Sequence, residues 1–490
     1  MPVFLSIDLG AGSGRVIAAE TDLKTIQLKE IHRFDNPGTD LPGGSFWNVL
    51  GLFQDIQKGI RRAVEIYGPE IAAMGVDTWG CDHGFLDEHG RLIGLVHQYR
   101  DPRHEGMAEK MHSLMSEREI YSHTGITTSF YNTSLHLLAE SSIGSPTLAD
   151  AATLLFTPDL LSYWLCGEKA VERTIASTSQ LLDPQSGDWA WPVIDALGLP
   201  RRIFGKIVPP GTVLGPIRPE VATVVGQAGI PVVASASHDT ASAVAGIPMQ
   251  ENSESLWLSC GTWSIMGLEA KSPILSEEAF SAGCCNELGV DHSVRFLKNI
   301  SGLWIIQECK RHWDLQGETI GYSELATMAA EAPAFSAFID PDDASFASPD
   351  DMPRKIQAYC TRTGQTPPVS KGEILRVATD SLALKYRTTF EKFCALTEKR
   401  FEKIHIGGGG IQNTQLMQAT ANALGIEVIA GPLEATSCGN VITQMIATGY
   451  IPDLATGREL IRNSFNPLIY QPQAGETWEK AYQQFIRIVN

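Results

Sequence analysis

The chain has 490 residues, 43% of them hydrophobic, and carries a formal net charge of −18 at pH 7. That length exceeds one ordinary core and predicts two domains. The acidic balance excludes nucleic acid and anionic membrane surfaces as partners, since both reward basic patches, and no run reaches the roughly 20 apolar residues of a membrane helix.

Residues 2–7 read as a strand, residues 8–15 as a glycine-rich turn and residues 16–20 as a second strand. Residues 25–34 alternate apolar and polar side chains as a third strand. The spacing of Val49, Leu50, Phe53, Ile56 and Ile60 predicts a helix over 47–67, and 71–77 is a short apolar strand ending at Thr78-Trp79-Gly80. Residues 231–235 form a buried-type strand that runs into Ser237-His238-Asp239-Thr240, then a small apolar run that Gly246-Ile247-Pro248 stops. The polar stretch 249–255 reads as the linker, which divides the chain into domains 1–247 and 248–490. Beyond it, Leu256-Trp257-Leu258-Ser259-Cys260-Gly261 echoes Leu5-Ser6-Ile7-Asp8-Leu9-Gly10. Residues 333–371, rich in Pro, Asp and Ser, are expected as surface loops. Residues 403–406 predict a strand into four glycines at 407–410, followed by a helix over 414–424 and a strand over 426–430.

Nine cysteines, scattered apart from Cys284-Cys285 and without a C-x-x-C pair, predict free thiols in a reduced compartment. The apolar N-terminus lacks a basic flank and runs straight into Asp8, so a signal peptide is not expected and the cytoplasm is.

Four segments can carry chemistry. Around Gly10, Gly12 and Gly14 the backbone can approach an anion and offer N–H groups to phosphate, or the segment can be a plain tight turn. Its spacing does not fit G-x-G-x-x-G, and a strand follows where a dinucleotide site requires a helix. No Walker A loop exists, because Gly205-Lys206 is followed by Ile207. Asp239, at a strand-to-helix junction, serves equally as a helix cap or as a carboxylate at the ligand-binding end of a sheet. Gly261-Thr262 and the glycines at 407–410 supply unhindered N–H groups after strands, or simply connect elements.

Taken in order, Asp8-x-Gly10…Arg15, Asp77-Thr78-Trp79-Gly80, His238-Asp239-Thr240, Gly261-Thr262-Trp263-Ser264 and Gly408-Gly409-Gly410-x-x-Asn413 resemble the FGGY carbohydrate kinases over nearly the whole chain. Longer matches, such as residues 9–16, 236–244 and Lys298-Asn299-Ile300-x-Gly302-Leu303-Trp304, resemble a ketose-specific branch of that family. Two departures stand out: Gly12 where a serine is usual, and Cys81 and His83 in the Trp79-Gly80-Cys81-Asp82-His83 segment beside the expected sugar site.

The resemblance implies an α/β fold of two ribonuclease-H-like, actin-like ATPase domains flanking a cleft. It implies ATP as co-substrate, a small ketose as acceptor, and a monomer or small homo-oligomer. By the same resemblance, Ala11, Gly12, Ser13, Gly14, Arg15, Thr262, Gln307, Gly410 and Asn413 bind ATP. Gly80, His238, Asp239, Thr240 and Asn299 bind the sugar, with Asp239 as catalytic base, and Asp8 holds Mg²⁺ through water. Trp79, Trp257, Trp263 and Trp304 read as core positions, and Asp101 as a surface partner of Arg103.

Overall fold

The computed structural model describes residues 1–250 and 254–489. The expected linker over 249–255 therefore lies in part, at 251–253, outside the described residues. Two compact units divide the chain: Met1–Gln250, Glu269–Phe296 and Ala435–Phe465 form the first, and Glu251–Leu268, Leu297–Glu434 and Asn466–Asn490 the second.

The first unit is built on a six-stranded sheet of β1 (Val3–Leu9), β2 (Ser13–Thr21), β3 (Ile26–Asp35), β4 (Ile71–Thr78), β5 (Thr212–Pro216) and β6 (Pro231–Ala234), in the order β5–β6–β4–β1–β2–β3. Every residue of β1 is buried, as expected for a central strand covered on both faces. Its register is chemically informative: Asp8 lies opposite Arg15 on antiparallel β2 and opposite Asp77 on parallel β4. Helix Val49–Tyr67 buries Leu52, Ile56 and Ile60. It starts two residues later than its periodicity predicts, because Trp47 ends strand Gly44–Trp47 and the Asn48 side chain caps the helix by accepting from Gly51 N.

A short helix, Asp239–Gly246, follows β6 and is crossed by helix Ala435–Ala447 at backbone distance. A Cβ on Gly439 would lie 1.7 Å from the Ser242 carbonyl oxygen, and one on Gly246 would lie 2.0 Å from that of Ala435. Only glycine permits this approach. The crossing ties the segment that begins at Asp239 to residues nearly two hundred positions later in the chain.

In the second unit, β7 (Ser255–Cys260), β8 (Trp263–Ala270), β9 (Lys403–Gly407), β10 (Glu427–Ala430) and β11 (Leu468–Tyr470) run in the order β8–β7–β9–β10–β11. Strand β7 pairs antiparallel with β8 and parallel with β9, as β1 pairs with β2 and β4. The sequence echo is thus a repeat of local topology. One expectation fails: residues 333–371 are not all surface loop. They include helix Met352–Arg362, which buries Met352, Ile356, Tyr359 and Cys360 in a cluster with Phe346 and Leu375. The residues that read as loop are its start signal, with Asp351 capping Arg354 N and Pro353 in the first turn, where a missing N–H costs little.

Candidate active site

The turn after β1 is a hairpin closed by Gly10 N donating to Ser13 O at 2.9 Å. Ala11 and Gly12 are exposed at its tip, and Ser13, Gly14 and Arg15 begin β2. Arg15 reaches back across the hairpin, and its Nε and Nη2 both lie 2.8 Å from Asp8 Oδ2. Asp77, fully buried beside Asp8, receives the Asn440 amide and keeps its Oδ1 without a partner among the described residues. Burial, and then the Asp8 charge, push the Asp77 carboxyl well above the usual carboxylate range, and Asp239 adds to the shift.

Three mutually repelling carboxylates and an orphaned buried oxygen make this a place that a divalent cation fits. No group of three His, Cys, Asp or Glu side chains forms a closed metal site among the described residues. Magnesium suits such a site, since it takes one or two carboxylates and completes its shell with water and phosphate oxygens.

Asp239 is the first residue of its helix, not the cap; His238 holds the N-cap position. Asp239 Oδ1 accepts from Thr240 N at 2.5 Å and from Thr240 Oγ1 at 3.1 Å, which leaves Oδ2 free among the described residues. Enclosure by the protein raises its proton affinity, the nearby His238 lowers it and the Asp8 charge raises it, for a net upward shift. The side chain still keeps 31% of its surface open.

Behind Asp239 lies a buried chain of groups. His238 Nε2 is 3.4 Å from Asp239 Oδ1, while His238 Nδ1 is 3.2 Å from Glu287 Oε2 and 3.1 Å from Arg295 Nη2. Arg295 is fully buried, pairs with Glu287 at 2.9 Å and donates from Nε to Leu288 O. Burial alone would raise the Glu287 carboxyl, but Arg295 and His238 outweigh it and hold it below the usual range. His238 thus bridges Asp239 on one ring nitrogen and the Glu287–Arg295 pair on the other. Glu172, buried, accepts from Ser237 N, and Thr174 Oγ1 accepts from His238 N, so the loop before Asp239 is held by its backbone as well.

Gly80 belongs to this group: a Cβ there would lie 3.4 Å from His238 Nε2 and 3.3 Å from Thr178 Oγ1. Cys81 and His83 are both buried. Cys81 is buried with φ of 71° and donates its thiol to Thr178 O, and burial pushes that thiol up. His83 is buried against Phe85, and burial followed by the Arg103 charge lowers its pKa to about 3. Asp101 does pair with Arg103, whose Nε lies 3.9 Å from its Oδ1, but not at the surface: it is buried, accepting from Ser45 N and Arg103 N, and the Arg103 guanidinium also reaches Glu140 and His136.

The hairpin tip also borders a cavity of about 480 Å³ lined by Ala11, Gly12, Trp47, Gln98, Tyr99 and Arg100. Trp47 is positioned by Asp82, whose Oδ2 accepts from Trp47 Nε1 at 2.5 Å and from Trp79 Nε1 at 2.7 Å. Burial raises Asp82 to about 7, against those two hydrogen bonds. Sequence reasoning missed Trp47, taken for a helix residue, and the Glu287–Arg295 support. A lone arginine within the apolar run Val294-Arg295-Phe296-Leu297 was the available signal.

The second unit carries the remaining candidates. Thr262 is exposed in the turn between β7 and β8, which closes through Gly261 N to Trp263 O at 2.9 Å. Helix Trp304–Leu315 starts on that turn, with Leu303 N and Trp304 N donating to Gly261 O and Thr262 O, and it carries Gln307 in its first turn. Gly410 packs on Cys260, where a Cβ would be 2.2 Å from Sγ, and Asn413 caps helix Thr414–Leu424 by accepting from Leu416 N. Asn299 lies on strand Val294–Ser301. Trp79 and Trp257 are buried as expected, whereas Trp263 is 37% exposed. All nine cysteines are free thiols, and no helix among the described residues is long and apolar enough to cross a membrane.

Strand-ending glycine turns, an open carboxylate on a buried anchor and the repeated sheet pairing are the parts of a phosphoryl-transfer enzyme acting on a small hydroxyl compound. The chain belongs to the FGGY family of carbohydrate kinases: the family's N-terminal domain matches residues 3–246 and its C-terminal domain residues 256–448. A rhamnulokinase from Bacteroides thetaiotaomicron is 40% identical over 482 residues, covering 98% of both chains. One from Bacillus subtilis is 35% identical, covering 96% of each. Among solved structures, a ligand-bound xylulose kinase from Lactobacillus acidophilus superposes with a TM-score of 0.83 at 15% identity, over 100% of this chain and 98% of its own. Plasmodium falciparum glycerol kinase with ADP gives 0.78 at 16% identity, over 100% and 98%. The actin-like ATPase fold expected from the sequence is the fold of these neighbours.

Proposed function

We propose that the protein transfers the γ-phosphoryl group of ATP to O1 of L-rhamnulose, giving L-rhamnulose 1-phosphate and ADP, as a cytoplasmic step of L-rhamnose breakdown. The observation that carries the reading is Asp239: an open, proton-hungry carboxylate braced from behind by His238, in a chain 35–40% identical to rhamnulokinases over nearly its whole length.

In this reading Asp239 Oδ2 accepts the proton of the sugar O1–H as that oxygen attacks the γ-phosphorus. The bond from the γ-phosphorus to the β,γ-bridging oxygen breaks, and ADP leaves with the electron pair. The raised proton affinity of Asp239 brings it nearer to a working base than an ordinary exposed carboxylate. Gly80 keeps the floor beside His238 clear, while His238, Thr240 and Asn299 bind the sugar hydroxyls. The Trp47 face offers apolar surface to the sugar's methyl-bearing end. Arg15 and the amides of Ala11, Gly12, Ser13 and Gly14 balance charge on the transferred group. Thr262, Gln307, Gly410 and Asn413 hold the nucleotide. Residues 1–247 thus serve mainly the sugar and 248–490 mainly ATP. Asp8 would hold magnesium through water, and the bound ion supplies charge neutralisation to the phosphate oxygens.

The test is ADP release over a panel of L-rhamnulose, L-fuculose and L-xylulose, with and without Mg²⁺. The expected result is the highest kcat/KM for L-rhamnulose and dependence on the metal. Turnover of another ketose without turnover of L-rhamnulose would overturn the substrate assignment and leave the kinase class standing.

A further inference from the structure

A second cavity, about 460 Å³ in volume, is lined wholly by residues of the first unit and shares none of them with the cavity at the hairpin tip. Three of its lining residues, Arg173, Lys271 and His292, are cations or potential cations, and none of its lining residues is Asp or Glu. In a chain with a net charge of −18 that is an unusual local balance. Arg173 and Lys271 make no ion pair among the described residues, and the Arg173 Nε is buried without a hydrogen-bond partner. A buried guanidinium nitrogen left without a hydrogen bond is unfavourable, a cost that an anionic ligand would relieve.

The two carboxylates flanking the loop that supplies Pro184 to Gly187 are hydrogen-bonded to that part of the chain and do not line the cavity. Asp183 accepts from Gln185 N and Ser186 Oγ within its own loop, and Asp188 accepts from Trp189 N. Asp291, beside His292, is exposed and does not line the cavity. Gly187, with φ of 69°, lets its loop pass the Arg173 side chain; a Cβ there would meet Arg173 Cδ at 3.4 Å. The volume falls in the range of small-molecule sites.

The walls of this cavity and the anchor behind Asp239 are made of consecutive residues. Arg173 lines the cavity while Glu172 holds Ser237 N; Leu288 lines it while Glu287 pairs with His238; Val294 lines it while Arg295 reaches His238 and Glu287. Three separate segments each present one residue to the cavity and its neighbour to the base's support. The backbone that carries Arg173, Leu288 and Val294 into the cavity wall therefore also carries Glu172, Glu287 and Arg295.

We propose that this cavity is a regulatory site for a small phosphate-bearing anion, and that its occupancy is felt at Asp239 through the Glu287–His238 chain. Binding stands by itself; only its effect on turnover rests on the kinase reading above.

Equilibrium dialysis of the full chain with radiolabelled orthophosphate, with ADP saturating the nucleotide site, tests the binding. One phosphate per chain is expected, with affinity falling at least tenfold in Lys271→Glu, which is exposed and outside the catalytic machinery. Arg173→Gln serves as the second variant. Competition by glucose 6-phosphate separates the sources: displacement at lower concentration than unlabelled phosphate marks a sugar phosphate, and weaker displacement marks free phosphate. No retention at about 10 mM phosphate, or unchanged affinity in Lys271→Glu, overturns the site. In turnover assays at saturating ATP and ketose, phosphate should change kcat of the wild type and not of Lys271→Glu. An unchanged wild-type kcat at full occupancy overturns the coupling.

Discussion

The hairpin turns that follow β1 and β7 are built alike and charged differently. Each ends a buried strand, each closes on its first glycine, through Gly10 N to Ser13 O or Gly261 N to Trp263 O, and each strand pairs next with a parallel neighbour. Where β1 places Asp8 before its turn, the matching position of β7 is Ser259; Leu9 is matched by Cys260, whose thiol lies against Tyr386 and beneath Gly410. The first unit gathers Asp8, Asp77, Asp239, Glu172 and Glu287 around its sheet ends, while the second offers a hydroxyl, amides and a capped helix. One scaffold thus yields a carboxylate-rich end and an uncharged end, and the difference rests on a few side chains.

Removing the proposed base tests that contrast most severely. Asp239→Asn should lower kcat by about 10²- to 10⁴-fold, read by ADP release with L-rhamnulose. Asparagine can still accept from Thr240, so the melting temperature should stay close to wild type. An undiminished kcat would remove Asp239 as base.

Glu287→Gln reaches the same carboxylate from behind. It leaves the fully buried Arg295 without its counter-charge and frees His238 to turn. Breaking such a pair costs about 3–5 kcal/mol of stability, and misplacing the base should cost up to about 10²-fold. The drop should appear in kcat more than in the KM for ATP. Loss of stability with kcat intact would make Glu287 purely structural.

The acid response of the first unit has a definite sign. His83 is neutral when folded, its pKa held near 3 by burial and Arg103, against 6.5 in the unfolded chain. The unfolded chain therefore binds a proton that the native state refuses, so stability falls as pH drops from 6.5 towards 3. At pH 5 the loss from this group is about 2 kcal/mol. Urea midpoints at pH 7 and pH 5 should draw closer in His83→Gln than in wild type; identical pH slopes would show that His83 titrates normally.

The smallest effect is expected in the neutral turn. Thr262→Ala removes one hydroxyl from an exposed position, and kcat/KM for ATP should fall by roughly tenfold, the worth of about one hydrogen bond. A loss as large as that of Asp239→Asn would mean that the second turn is as chemically committed as the first.

Much of the site was legible in the residues. Glycines between apolar runs announced both turns, and Asp239 could be placed at a strand end from Pro231-Val232-Val233-Ala234 and the small residues that follow. Helix Met352–Arg362 was not, because its Asp and Pro start signals are also loop signals. Cys81 and His83 were expected beside the sugar. Both are buried: Cys81 follows Gly80, which packs near His238, and strand His83–Leu86 pairs with Thr153–Phe156.

By itself the sequence determined the features that depend on neighbours along the chain: the strand–turn–strand hairpins, the capped helices and the repeated order of motifs. Only the tertiary structure decided which distant groups meet. Asn440 reaches Asp77, and Glu287 with Arg295 reaches His238, because the first unit recruits residues 269–296 and 435–465 to a sheet begun at residue 3. The proton affinity of a buried carboxylate depends on those meetings, through desolvation and the charges within a few ångströms, and no local pattern encodes them.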